Sequence, residues 1–190
     1  AALHVHAGNP DAIMLVAPSD HVIPDVDHFK ACVQAALSDA KAGRLVTFGI
    51  FPDRPETGYG YLELTDAPTA EIMPVPLRGF VEKPTAEVAA QMVADGRFLW
   101  NAGIFLFSAK AIIAAFETHA PQVLEAVRAA HDAARLDLGF TRLDPKAWAD
   151  VQAISLDYAI MEKSDNLSVV PYSGRWSDLG DWAAVWRETE

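Results

Sequence analysis

The residues able to do chemistry gather in three short runs, each following a candidate strand. Pro18-Ser19-Asp20-His21 comes directly after the apolar run Ile13 to Ala17. An acidic residue at the carboxyl end of a strand can hold a divalent cation over an active crevice. Asp20 could equally serve a turn, accepting hydrogen bonds from nearby N–H groups. The second run is Glu82-Lys83-Pro84. A carboxylate that accepts from hydroxyls, beside an ammonium that meets a phosphate, would suit a sugar phosphate. A surface Glu and Lys ahead of a helix-opening proline is the plainer alternative. The third run, Trp176-Ser177-Asp178-Leu179-Gly180-Asp181, puts two carboxylates in a tight loop between a strand and a helix. Asp181 suits a helix N-cap, which leaves Asp178 without a structural task, and Asp20 and Asp178 could converge on one Mg²⁺. Spacing alone leaves these readings open.

Other chemistries lack their signals. There is no G-x-S-x-G elbow, no Walker A sequence and no G-x-G-x-x-G after a strand, and Gly58-Tyr59-Gly60 is too short to count. His4 and His6 stand two apart on an expected helix, so they face different ways and make a poor metal pair. Cys32 is the single cysteine. It excludes an internal disulfide and reads as a small core residue.

Alternating elements must position the three runs. Residues 1 to 8 read as the end of a helix stopped at Gly8, and Ile13 to Ala17 as a strand buried on both faces. A helix over Asp27 to Lys41 and a buried strand over Leu45 to Phe51 complete a strand-helix-strand opening. After a loop dense in turn formers, Pro52 to Gly60, strands are expected over Tyr61 to Leu64 and Leu77 to Val81. Pro84-Thr85 opens a helix to Asp95 with Val88, Ala89 and Met92 inward, stopped by Gly96. Leu99 to Phe107 is a strand, and Pro121 divides helices over Lys110 to Thr118 and Gln122 to Ala134. Ser155 caps a helix over Leu156 to Lys163, Leu167 to Val170 is a last strand, and Asp181 caps a final helix. The pattern predicts a three-layer α/β domain with a mixed sheet.

The chain has 190 residues, 51% hydrophobic and 22% charged, with net charge −11. It is too apolar for a disordered segment and long enough for one domain that buries roughly 70% of its unfolded surface. The acidity argues against a nucleic-acid backbone as partner. A small anion held by a placed lysine and a carboxylate-bound cation remains compatible with it. No apolar run approaches the roughly 20 residues that cross a bilayer, and no signal-peptide pattern opens the chain, so a cytoplasmic protein without membrane contact is expected.

Taken together, the runs resemble the sugar-nucleotide pyrophosphorylases, in particular their mannose 1-phosphate guanylyltransferase branch. The resemblance rests on APSDHVI (17–23), RPETGYGYLE (54–63), FVEKP (80–84), FLWNAGIFLF (98–107), ISLDYAIMEK (154–163) and WSDLGDW (176–182), in the order that family has them. It implies a Rossmann-like nucleotidyltransferase fold with a mixed, mostly parallel sheet. It also implies Mg²⁺-assisted attack of mannose 1-phosphate on the α-phosphate of GTP, giving GDP-mannose and pyrophosphate. By motif position, Asp20 and Asp178 would be metal carboxylates and Lys83 would hold the sugar phosphate. Glu82 and Asn101 would hydrogen-bond sugar hydroxyls, and Gly60 would offer its N–H. Asp157 would lie near sugar or metal, with helix capping an equal alternative, and Lys163 has only a motif match.

The family's loop of the form Gly-Gly-x-Gly-x-Arg-Leu does not occur here. The chain is therefore expected to be an internal segment, lacking that N-terminal nucleotide loop and any C-terminal domain, with little turnover alone. A homo-oligomeric full-length form, a sister enzyme for another sugar 1-phosphate, and a non-catalytic sugar-nucleotide-binding subunit are the other readings the resemblance admits.

Overall fold

A computed structural model describes residues 1–180 and 182–189 of the chain. In chain order the first elements are α1 (Ala2–Gly8), β1 (Ile13–Val16), α2 (Val26–Lys41), β2 (Leu45–Ile50), β3 (Gly60–Glu63), β4 (Val75–Pro76), β5 (Gly79–Glu82) and α3 (Ala86–Asp95). Then come β6 (Phe98–Ser108), α4 (Ala109–His119), α5 (Pro121–Asp132), β7 (Arg135–Asp137), β8 (Phe140–Arg142), α6 (Pro145–Ala149), α7 (Leu156–Ala159), a 3₁₀ turn (Met161–Lys163), β9 (Leu167–Tyr172) and α8 (Trp182–Thr189). The expected cap Asp181 lies outside the described residues.

These elements form two compact units. One comprises Ala1–Ala12 with Ser108–Ser164, the other Ile13–Phe107 with the described residues from Asp165 onward. Length and the lack of a linker suggested one domain. The units are discontinuous in sequence, so their boundary crosses the chain without a Pro/Gly/Ser tract to mark it.

The first unit is helical. α1 packs with α4 and α5, and α5 with α6. Its helix starts follow local rules. The Ser108 hydroxyl accepts the Ala111 N–H at 3.1 Å, and Asp144 accepts from Lys146 and Ala147 at 3.1 and 2.9 Å, satisfying first-turn donors that have no partner within the helix. Pro121 opens α5 where its missing N–H costs nothing. The helix expected over 156–163 is broken. α7 starts on its Ser155 cap, leaves helical geometry at Ile160, and gives way to the 3₁₀ turn.

The second unit carries a seven-stranded sheet in the order β4-β9-β2-β6-β3-β5, with β1 also paired to β6. Every residue of β2 and β9 is buried, as their unbroken apolar runs require. The sheet is mixed, but its balance differs from a mostly parallel one. Of the registered pairings only β2 with β9 is parallel; β2–β6, β3–β6, β3–β5 and β4–β9 are antiparallel. The long strand β6 runs against β2 and β3, and the strands β5 and β4 add antiparallel pairs to β3 and β9.

Val46, Phe48 and Ile50 of β2 join Tyr61, Trp100, Ile104, Val170 and Tyr172 on one face, packed with Cys32, Ala36 and Ala40 of α2 and Ala89 and Met92 of α3. The alternating residues Leu62, Leu99 and Val169 form a second cluster with Leu64. Two expectations of burial fail. β1 is not covered on both faces, since Leu15 is 45% and Val16 36% exposed, and Val88 of α3 is 37% exposed while Ala89 and Met92 are buried. A short apolar run cannot distinguish a strand paired on one side from a central one.

Candidate active site

The parallel pair β2/β9 sets the site. Ile50 lies opposite Tyr172, so the two strands end side by side and release neighbouring loops, 51–59 and 173–180. The loop after β1 joins them through an isolated antiparallel bridge. The Val22 N–H donates to Ser177 O at 2.8 Å and the Ser177 N–H to Val22 O at 3.1 Å. Two main-chain bonds thus lock the segments that carry Asp20 and Asp178, far apart in sequence.

Asp178 is held from two sides. The Tyr59 hydroxyl donates to its Oδ1 at 3.0 Å, and the Gly180 N–H donates to the same oxygen at 3.1 Å. Between them Leu179 adopts φ +50°, a conformation that non-glycine residues rarely take and that clusters at functional sites. Trp176 donates Nε1–H to His21 Nδ1 at 3.3 Å, with the rings edge to face at 5.3 Å. This bond needs His21 neutral and protonated on Nε2. Burial pushes the His21 pKa down, and Asp20 and Asp178 oppose it, which places the imidazole in the field of both carboxylates. Burial, followed by Asp178, pushes the Tyr59 phenol far above its ordinary value, so it stays a donor.

The second group stands on β3 and β5. Gly60 pairs with Glu82 in register, and a Cβ on Gly60 would lie 2.5 Å from Glu82 Oε2 and 3.1 Å from Phe80 Cζ. Glycine is therefore needed to let the Glu82 carboxylate, 9% exposed, lie over the backbone. Lys83 follows with φ +47° and an exposed ammonium 3.6 Å from Glu82 Oε1. Its N–H donates to Tyr59 O at 3.2 Å.

Asn101 sits on β6 opposite Gly49, at a bulge where β6 takes Phe105 to Asn101 against Thr47 to Gly49. Gly103 supplies the left-handed turn, φ +67°. The buried Thr47 hydroxyl (2.8 Å) and the Gly103 N–H (3.2 Å) both meet Asn101 Oδ1. That end of the amide is therefore an acceptor, and Nδ2 is its donor end. Tyr61 pairs with Trp100 and Gly60 with Glu82, so Asn101, Gly60 and Glu82 fall in adjoining positions across the sheet.

Asp20, Asp178, Gly60, Glu82, Lys83 and Asn101 thus share one unit, in two groups linked by Tyr59. Asp157 and Lys163 belong to the other unit. Asp157 lies in the first turn of α7 beside its Ser155 cap, which suits a helix-dipole role. Tyr59, Trp176 and His21 were missed as residues in their own right. The signal for Tyr59 was present, since an aromatic between two glycines cannot be needed for the turn itself. A cavity of about 330 Å³ is walled by Ile50, Arg54, Tyr59, Trp100, Arg175 and Trp176. Arg54 stacks 5.0 Å over Trp100 and pairs with Asp53 at 2.9 Å and Glu56 at 3.4 Å.

Among the described residues no cluster of three or more His, Cys, Asp or Glu could hold a metal. Two carboxylates on joined loops do fit Mg²⁺, which takes one or two carboxylates and completes its shell with phosphate and water oxygens. Within the described residues no helix is long and apolar enough to cross a membrane.

The sequence pattern of the nucleotidyl transferase family matches residues 1–190. A mannose-1-phosphate guanylyltransferase of Sinorhizobium fredii is 48% identical over 180 residues, covering 95% of this chain but 35% of that protein. The chain therefore spans about a third of the length of this curated relative. A mannose-1-phosphate geranyltransferase structure from Thermus thermophilus superposes with TM-score 0.81 at 31% identity, over all of this chain and 52% of the other. A mannose-6-phosphate isomerase structure from Helicobacter pylori gives TM-score 0.83 at 29% identity, over 93% of this chain and 68% of that one. With its mixed α/β sheet and its motif loops gathered at strand ends, the chain belongs to the nucleotidyl transferase family.

Proposed function

We propose that the protein carrying this chain transfers GMP from GTP to mannose 1-phosphate, releasing pyrophosphate and forming GDP-mannose. The observation that carries the reading is the main-chain bridge between Val22 and Ser177, which joins the Asp20 and Asp178 loops. Beside it, Gly60, Glu82 and Lys83 form a group suited to a phosphorylated sugar. A phosphate oxygen of the sugar bonds to the α-phosphorus of GTP as the bond to the β-phosphate bridging oxygen breaks. That electron pair leaves with pyrophosphate.

The nucleophile is already an anion, so the reaction asks for alignment and charge neutralisation and needs no general base. Lys83 holds the sugar phosphate as a point charge able to follow a moving oxygen. Glu82 accepts from sugar hydroxyls and Asn101 donates to one, and a wrong sugar leaves these groups unpaired at a cost of about 1 to 3 kcal/mol. Asp20 and Asp178 would hold Mg²⁺, which when bound offsets phosphate charge.

The test is product analysis of the full-length protein with GTP, ATP, UTP and dTTP against mannose and glucose 1-phosphates. GDP-mannose should dominate. Another nucleotide sugar would move the assignment to a sister enzyme, and binding without turnover would make it a regulatory subunit.

A further inference from the structure

Tyr59 makes three attachments that the roles above do not use. Its carbonyl accepts the Lys83 N–H at 3.2 Å, its hydroxyl donates to Asp178 Oδ1 at 3.0 Å, and its ring meets the rings of Trp100 and Trp176 edge-on, each at 5.3 Å. Its neighbour Gly60 lies under the Glu82 carboxylate. From these contacts we infer that Tyr59 is a positioning residue that ties the Gly60–Glu82–Lys83 group to Asp178 and selects the carboxylate oxygen Asp178 offers a cation. The inference rests on the proposed reading of Asp178 as a cation ligand.

A hydroxyl-to-carboxylate bond is of the stronger, charge-assisted kind. Here the two tryptophan edges hold the ring, so the hydroxyl does not trade Asp178 for water by rotating away. The Tyr59 and Gly180 bonds both fall on Oδ1, so in the proposed reading Oδ2 is the oxygen left to a cation. On the other side, the Tyr59 carbonyl helps to hold Lys83 at its unfavourable φ of +47°. One residue therefore sets both the backbone that carries the ammonium and the orientation of the carboxylate.

Tyr59→Phe removes the hydroxyl and keeps the ring and the carbonyl. The experiment titrates Mn²⁺, followed by its electron paramagnetic resonance, into full-length wild-type, Tyr59→Phe and Asp178→Asn proteins, each with and without mannose 1-phosphate. Asp178→Asn should weaken Mn²⁺ most and Tyr59→Phe about tenfold. In Tyr59→Phe, mannose 1-phosphate should also lose much of its enhancement of Mn²⁺ affinity, because coupling between two sites is reciprocal and needs a link. Thermal unfolding within about 3 °C of wild type separates positioning from loss of fold. If Asp178→Asn weakens Mn²⁺ while Tyr59→Phe matches wild type with and without sugar phosphate, the positioning role is refuted and the ligand role stands. If Asp178→Asn binds Mn²⁺ like wild type, the ligand reading fails and the inference falls with it.

Discussion

Gly60→Ala separates a catalytic constraint from a packing one. The added Cβ would stand 2.5 Å from Glu82 Oε2, 3.1 Å from Phe80 Cζ and 3.3 Å from Phe80 Cε1. Carbon–oxygen contacts settle at about 3.3 Å or more, so the carboxylate must move by roughly 0.8 Å while the phenyl ring gives a few tenths. The displaced atom ends a flexible side chain, and an off-rotamer shift costs of order 1 kcal/mol. That lowers Tm by at most about 2 to 4 °C, the shift for a folding unit of about 150 to 250 residues. Catalysis should suffer far more, because a misplacement of about 1 Å in a positioning group costs on the order of 100-fold. The assay is kcat/KM for mannose 1-phosphate in the full-length protein, with Tm measured on the same samples. If the effect passes through Glu82, Gly60→Ala should add little to Glu82→Ala. Unchanged kcat/KM, or full additivity of the two substitutions, would refute the reasoning.

Lys83→Gly should leave Tm within about 3 °C of the parent, because relief of the strained φ offsets the added freedom of the unfolded chain; KM for mannose 1-phosphate should rise at least about tenfold. A steep fall in Tm would show that the lysine is structural. Burial lowers the His21 pKa below its ordinary value, so the unfolded chain binds that proton more readily. This stability is fully present above about pH 6.5 and is lost as pH falls through the folded-state pKa. Tm measured from pH 7.5 to 5 should therefore fall more steeply for wild type than for His21→Gln, and equal slopes would contradict the assignment.

Much of this was legible because it is local. The all-buried strands β2 and β9 were visible as apolar runs, the Ser155 cap and the helix start at Pro84-Thr85 as residue types, and Cys32 as a core residue, which is 0% exposed; Pro121, read as a divider between helices, is instead the first residue of α5. What failed depends on partners elsewhere in the chain. Apolar content cannot say that β1 leaves Leu15 and Val16 exposed. The β7/β8 hairpin is absent from the expected elements although Leu136, Leu138 and Phe140 alternate with Asp137 and Gly139, and all three are exposed, where alternation would bury them. At the site, Asp20 suggests a turn as readily as a ligand, while Asp178 shows no structural task and no partner in the sequence. The joining of their two loops depends on two backbone bonds between Val22 and Ser177 that carry no side-chain signature. Asn101 came from the family resemblance alone, and its bulge with Thr47 and Gly103 could not be read before the register was known.

The most direct test of the central claim compares GDP-mannose formation by full-length wild-type, Asp20→Asn and Asp178→Asn proteins over a Mg²⁺ titration, with circular dichroism on each. Wild type should form GDP-mannose and pyrophosphate in equal amounts and only with Mg²⁺. Both variants should keep their fold and lose turnover by about 100-fold or more, since removing a group that neutralises transition-state charge costs of that order. Wild type forming no GDP-mannose, or both variants turning over with unchanged Mg²⁺ dependence, would contradict it.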